Sequence, residues 1–319
     1  MNKSLTQLIL ALFFSLFSFC YLYCYQPDVM VVTQFLASGG QTHYVPLVGA
    51  ILITLVLQLL QMFIQHYVQI HKRTMALTYL PSALLLALVT SISSDVSQQL
   101  SMKSWTWTLP LLLVVAFYII YQAKRYQAYE PEERKQSILS QIFWINIGEL
   151  MLIVLLVGLL GNSDKHFHQK AKMEHLIDKR QYAEALEVSA HMQHTDSAAS
   201  MMTIYALARR QKLGDSLFCY RLVGDADVMR PSASVHSLLM PDSLLIKVTR
   251  QSANYQLCAC LLNRDLKRFA HYLPMYYRTN EPMPRYYVEA WNLYHDIQQG
   301  RTPKPPYKPK TYASYYFKD

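Results

Sequence analysis

Two groups of residues in this chain have the types and spacing to do chemistry. Within an otherwise apolar run, Glu149 stands with Asn146 one helical turn before it; in an earlier run Thr54, Gln58, Gln61 and Gln65 recur at spacings of four, three and four. That spacing draws one polar stripe along one helix face. With the two helices antiparallel, Gln58 falls level with Glu149, and Gln61 with Asn146. A carboxyl group in hydrocarbon is expensive, and is usually paired, protonated or turned to a cavity. The group reads either as a proton- or solute-handling site or as interhelical glue, in which amides bond across a bundle and a neutral Glu joins them. No basic residue stands at the level of Glu149, which weighs against transport. The second group is basic and aromatic: Tyr182, Arg209, Arg210, Arg264, Lys304, Lys308 and Lys310. These are candidates for binding a protein partner.

Other reaction chemistry has little to stand on. Nine glycines make no GxGxxG and no GxxxxGK[ST], so the glycine-rich phosphate cradles are missing. His166 and His168 are two apart, His191 and His194 three apart, without HExxH or an acidic ligand at fitting spacing. No GxSxG occurs. Of the five cysteines, Cys258 and Cys260 lie two apart on a helix and point to different faces, so they cannot bridge each other. The sequence singles out no catalytic residue, metal site or cofactor, and the reading leans away from an enzyme.

The elements that must position these residues follow from where charge is scarce. The chain has 319 residues, 52% hydrophobic and 16% charged, which excludes disordered and collagen-like classes. Residues 1–163 hold 8 Lys/Arg and 6 Asp/Glu; residues 164–319 hold 22 and 15, a net +7. Apolar runs near 5–25, 46–67, 76–94, 107–122 and 138–161 approach the ~20 residues that a helix needs to cross a bilayer. The first run reads as an uncleaved anchor, because no A-x-A site follows it. Trp105 and Trp107 open the fourth run; Tyr118, Tyr121, Tyr126 and Tyr129 close it, as interfacial aromatics do. Residues 1–163 are therefore expected to be a five-helix transmembrane domain. Lys3, Lys72, Arg73, Lys124, Arg125, Arg134 and Lys135 collect on one side, against Lys103 on the other. That bias puts the N-terminus in the cytoplasm and exports the C-terminal half. Lys165, Lys170 and Lys172 run against it, although long translocated domains largely escape the rule.

Beyond Gly161–Asn162 the apolar period becomes that of surface helices, expected near 165–179, 181–193, 197–211, 213–223, 242–262, 264–277 and 284–298. A degenerate repeat runs through them. Its copies are Leu176–Leu186, Ala206–Leu217 and Cys258–Phe269, with Tyr182, Leu213 and Leu266 at the turn. These spacings of 31 and 53 compare with a tetratricopeptide period of about 34, the larger holding an insertion around 224–241. An all-α architecture follows: a transmembrane bundle, then a tetratricopeptide-like helical solenoid over 164–300. Stacked hairpins of this kind present a concave surface to a peptide or partner helix. The tail, 301–319, carries Pro303, Pro305, Pro306 and Pro309, which favour extended geometry. It reads either as a docking peptide or a strap at an anionic membrane surface or glycan, or as a loosely ordered end with its tyrosines laid on the last helix.

Three stretches carry a family likeness: Gly39-Gly40 with Tyr44, Pro46 and Gly49-Ala50; Ala206-Leu207-Ala208 with Leu213–Phe218; and Pro284 with Tyr287-Val288-Glu289-Ala290. They resemble polytopic membrane proteins of Bacteroidota in which a tetratricopeptide-like domain follows the membrane helices, although Ser38 stands where proline would precede the glycine pair. The resemblance implies architecture and location and brings no reaction. The expected function is an inner-membrane scaffold or assembly factor whose periplasmic helical domain binds an envelope protein or a second copy of itself. Lipid is the other partner, and an exported domain argues against nucleic acid. The alternative is a transporter subunit or membrane-embedded enzyme centred on Glu149.

Overall fold

A computed structural model of the protein describes residues 3–68, 72–91, 105–126, 141–232, 234–250, 253–278, 282–301 and 303–317. They are all-helical, with no strand among the described residues. The chain forms two compact units that meet in sequence between Asp164 and Lys165.

In the first unit, α1 (Lys3–Cys20) runs into a π turn (Tyr21–Tyr25), followed by α2 (Pro27–Ala37) and α3 (Pro46–Val68). A 3₁₀ segment (Lys72–Tyr79) leads into α4 (Leu80–Thr90); α5 (Trp105–Tyr126) and α6 (Gln141–Leu160) complete it. Prolines open α2 and α3 and sit at the second position of α4, where a missing N–H costs nothing. Five stretches are long and apolar enough to cross a membrane: Leu5–Tyr25, Pro46–Val68, Arg73–Thr90, Trp107–Arg125 and Gln141–Leu160. The third starts three residues before its expected position, because the 3₁₀ segment carries Arg73 and Thr74 into it; the expected ends at 92–94 and 138–140 lie outside the described residues. The helix α2 was not expected, and its 11 residues are too few to cross. After it, Gly39 and Gly40 turn the chain at φ 59° and 81°, and the ring of Tyr44 lies where a Cβ on Gly49 would be.

Hydrogen bonds fix the directions of these helices. Gln61 Nε2 donates to Thr78 Oγ1 at 3.0 Å and Ser82 Oγ to the Leu57 carbonyl at 2.9 Å, so α3 and the third span are antiparallel. Asn146 Oδ1 accepts from the Ala76 N–H at 2.9 Å, and the Asn162 N–H donates to the Thr90 carbonyl at 2.9 Å, so the third and fifth spans are parallel. Buried Gln26 adds a clasp, donating to Tyr21 Oη and to the Asn162 carbonyl. Outward faces stay apolar, with Leu52, Leu59, Phe117 and Leu152 exposed.

The second unit comprises α7 (Lys165–Asp178), α8 (Tyr182–His191), α9 (Ser197–Arg209), α10 (Leu213–Ser216), α11 (Asp242–Arg250), α12 (Ala253–Leu262), α13 (Leu266–Tyr276), α14 (Arg285–Gln298) and α15 (Tyr312–Tyr316), with 3₁₀ turns at Leu217–Cys219 and Ala226–Met229. The helix expected over 213–223 ends at Cys219, and the one expected over 242–262 is two helices. The pairs α7/α8, α9/α10 and α12/α13 share one turn. Arg180, Gln211 and Arg264 take left-handed φ of 61°, 57° and 56°. In each, the next N–H reaches back five residues: Gln181 to Leu176 at 2.8 Å, Lys212 to Leu207 at 2.9 Å, Asp265 to Cys260 at 2.9 Å. This bond meets an otherwise orphaned helix-end carbonyl.

The first two hairpins lie side by side in the same sense. Lys170 Nζ bonds Asp196 Oδ2 at 3.0 Å near the starts of α7 and α9, and Arg209 Nε bonds Tyr182 Oη at 3.3 Å at their turns. The third is turned over. Val223 N–H bonds Ser200 near the start of α9, while Ala226 N–H, three residues on, bonds Asn263 just past the end of α12. At the other edge Asp215 of α10 accepts from Arg285 N–H, and Tyr287 Oη meets Asn254 near the start of α12. Thus α12 runs opposite to α9. The tail belongs to the same core. Tyr312 is fully buried, 5.3 Å from the Phe218 ring, with its N–H on Glu289 Oε2 at 2.7 Å. Tyr315 Oη donates to the Leu262 carbonyl at 2.9 Å.

One buried carboxyl group fastens the long insertion to α7. Glu174 Oε2 accepts from Ser237 Oγ and Leu238 N–H, both at 2.6 Å, and from Leu239 N–H at 3.0 Å. Burial pushes this carboxyl above the ordinary glutamate range; the Ser237 hydroxyl, the Lys170 charge and the two N–H groups pull back without cancelling it. Glu174→Ala strands three buried donors and is expected to cost about 3 kcal/mol. A pH signature accompanies it. Below ~4.3, the ordinary Glu value, folded and unfolded chains both hold the proton; above it the unfolded chain releases it first, so stability falls as pH rises through the raised native value. Urea midpoints of the detergent-solubilised protein, compared with Glu174→Gln across pH, are expected to show that fall; a rising difference refutes it.

Candidate functional site

The polar groups of the first unit converge on the 3₁₀ segment Lys72–Tyr79. A 3₁₀ stretch leaves backbone groups that a regular helix would pair, and in hydrocarbon nothing but protein can meet them. Asn146 does so most directly. It is fully buried, takes the Ala76 N–H on Oδ1, and gives an Nδ2 hydrogen to the Ile142 carbonyl at 2.9 Å. Gln61 gives its Nε2 hydrogens to Thr78 Oγ1 and to Gln65 Oε1, the latter at 2.8 Å, and Thr78 Oγ1 donates to the Met75 carbonyl at 2.8 Å. Gln58 does not turn to Glu149. It bonds the Ala11 carbonyl at 3.0 Å and Ser15 Oγ at 2.8 Å, which ties α3 to α1. Gln61 and Asn146 are therefore both bonded to the 3₁₀ segment, and Gln58 stands apart.

Glu149 is half-buried one turn beyond Asn146. Its Oε2 is enclosed and accepts no hydrogen bond, and the charge of Arg73 acts on the carboxyl group. Arg73 and Thr78 are site residues that the sequence reading missed. The sequence places Arg73 among the cations of a short loop between two apolar runs. The spacing from Gln61 to Thr78 carries no signal until the turn between the two spans is known.

In the second unit the basic and aromatic positions separate. Tyr182, Arg209 and Arg210 gather where the first two hairpins turn, with the Arg209 guanidinium 5.9 Å from the Tyr182 ring centre. Arg264 sits at the turn of the inverted third hairpin, 5.5 Å over the Tyr315 ring. Lys304, Lys308 and Lys310 are exposed, and the Lys310 carbonyl accepts from Arg285 Nη2 at 3.0 Å and from Tyr286 Oη at 3.2 Å. Beside α9 and α12 the segment 224–235 forms one wall of an open groove of about 1200 Å³, lined by Ser197, Asp227, Arg230, Tyr255, Gln256 and Tyr276 among others. Asp196 caps α9 beside it. Burial works against its charge, but the Ala199 N–H and Lys170 outweigh that and hold the carboxyl below its ordinary range. Burial pushes the Cys258 thiol up to about 12, against Tyr287 Oη, so it stays protonated and unreactive near neutrality. Among the described residues no three His, Cys, Asp or Glu side chains are placed to hold a metal ion.

Residues 225–315 match a family of unknown function, DUF6057. The matched stretch runs from the groove wall through the third hairpin and α14 to Tyr315 in α15. No curated protein and no solved structure matches the chain.

Asn146→Ala removes the acceptor of a buried backbone donor and is expected to cost about 2 kcal/mol. Asn146→Gln, which keeps an uncharged amide with both acceptor and donor, is expected to lose less stability than Asn146→Ala. Heat-induced loss of the monodisperse peak in detergent ranks the variants; equal behaviour of Asn146→Ala and wild type refutes the assignment.

Proposed function

We propose that this protein is a membrane scaffold or assembly adaptor, whose water-facing helical domain holds a polypeptide segment of another envelope protein. The observation that carries the reading is the open groove of about 1200 Å³, lined by both charges, the Gln256 amide and two tyrosines. The three shared turns support a tetratricopeptide-like origin for the hairpins, and the inverted third hairpin makes the binding surface a local groove in place of a continuous superhelix. The lysine and arginine bias of the short loops supports an inner-membrane location with the N-terminus in the cytoplasm and the helical domain in the periplasm.

A second reading has its own observation: the enclosed, unbonded Glu149 Oε2, with the Arg73 charge and the 3₁₀ segment. It makes the bundle a transporter subunit or membrane-embedded enzyme that moves a proton or polar solute.

The two readings part under test. Gln256→benzoylphenylalanine places a photoreactive ring in the groove. In intact cells it is expected to give one discrete protein adduct, weakened several-fold by Arg230→Glu; the absence of any adduct refutes the adaptor. Glu149→Gln is expected to leave that adduct unchanged, and an accompanying loss of proton or solute flux in proteoliposomes would establish the second reading.

A further inference from the structure

The helix α7 carries a stripe that the packing of its own unit does not use. Its buried residues are Phe167, Ala171, Met173, Glu174 and Ile177. On the opposite face Lys165, Lys172 and Lys179 recur every seven residues, a step that drifts only ~20° per repeat. Lys179 is still on the helical path, since its N–H bonds the His175 carbonyl at 3.1 Å. His168 and His175 fall between the lysines on the same face, at spacings of three and four. All three lysines are exposed, and no ion pair involves any of them among the described residues. The acids of this helix lie elsewhere: Glu174 faces the core, and Asp178 stands about 100° round from Lys179, its neighbour in sequence.

Three cations in line over ~21 Å of helix face are an electrostatic surface waiting for negative charge. The covalent structure says which negative charge is at hand. The fifth apolar span ends at Leu160 and α7 begins at Lys165, a link of about 17 Å at full stretch. Polybasic segments directly beyond a membrane span are attracted to anionic headgroups, an attraction that fades within a Debye length. We propose that the Lys165–Lys172–Lys179 face of α7 rests on the phosphates of anionic phospholipids. The inference does not depend on the partner in the groove, nor on which leaflet the domain meets.

Lysine acylation footprinting of the full-length protein in nanodiscs tests this. In discs containing phosphatidylglycerol, acylation of Lys165, Lys172 and Lys179 by an N-hydroxysuccinimide ester is expected to slow about fivefold relative to pure phosphatidylcholine discs. Exposed Lys267 and Lys304 in the same unit are expected to hold their rates. Protection is expected to vanish in molar salt, where the Debye length is about 3 Å, and to weaken at Lys165 and Lys179 in Lys172→Glu. Equal rates in both discs overturn the proposal, as does equal slowing of Lys267 and Lys304, which marks a general surface effect. Protection found in native membranes but missing from phosphatidylglycerol discs also overturns it, and transfers the face to an acidic protein.

Discussion

A buried polar group that water cannot reach must be met by the protein, and both units are organised around places where that requirement is sharpest. In the membrane-type unit the place is the 3₁₀ segment Lys72–Tyr79, whose backbone cannot pair as a regular helix would. Asn146 supplies the missing acceptor to Ala76, and Gln61 meets Thr78. In the second unit the place is the insertion, a long stretch with little regular structure to absorb its N–H groups. Glu174 answers two of those groups and a hydroxyl with one oxygen. Each answer also fixes geometry: the first aligns the third and fifth spans, the second sets the far end of the groove wall.

Much of this was legible in the residues. Apolar length located the five spans to within a few positions, because the bilayer sets a length that composition must satisfy. The polar stripe Thr54–Gln58–Gln61–Gln65 announced that α3 faces other helices. What the stripe faces was not legible. Depth matching by helix direction paired Gln58 with Glu149, but the side chain is taken by Ala11 and Ser15 of α1. Neighbour choice in a bundle depends on packing that no single helix encodes. The 3₁₀ geometry was hidden for a related reason: the composition of 72–79 is compatible with an ordinary helix, and only its tertiary bonds distinguish it.

In the second unit the repeat pointed to the turns. Tyr182, Leu213 and Leu266 each follow by two positions a residue in the left-handed conformation, and none of those residues is glycine. Arg180, Gln211 and Arg264 are held there by the bond from the next N–H, a local capping bond that outweighs the residues' intrinsic preference. The inversion of the third hairpin was not visible. A spacing of 53 reports inserted residues and is silent on direction; the bonds of Val223 and Ala226 carry the reversal. The tail shows the opposite failure. Its prolines describe the stretch up to Pro309 and say nothing of the short helix beyond, whose tyrosines find the core.

That last placement bears on how the domain is made. Tyr312 fills a space bounded by Phe218, from nearly a hundred residues earlier, and its hydroxyl reaches the Leu261 carbonyl. A chain emerging from the ribosome therefore exposes the 3₁₀ turn Leu217–Cys219, α12 and α14 without the ring that packs on them until residue 312 arrives. Domains fold as units, and apolar surface left open in the meantime invites aggregation. Between the synthesis of Phe218 and that of Tyr312 this surface stands open to such contacts.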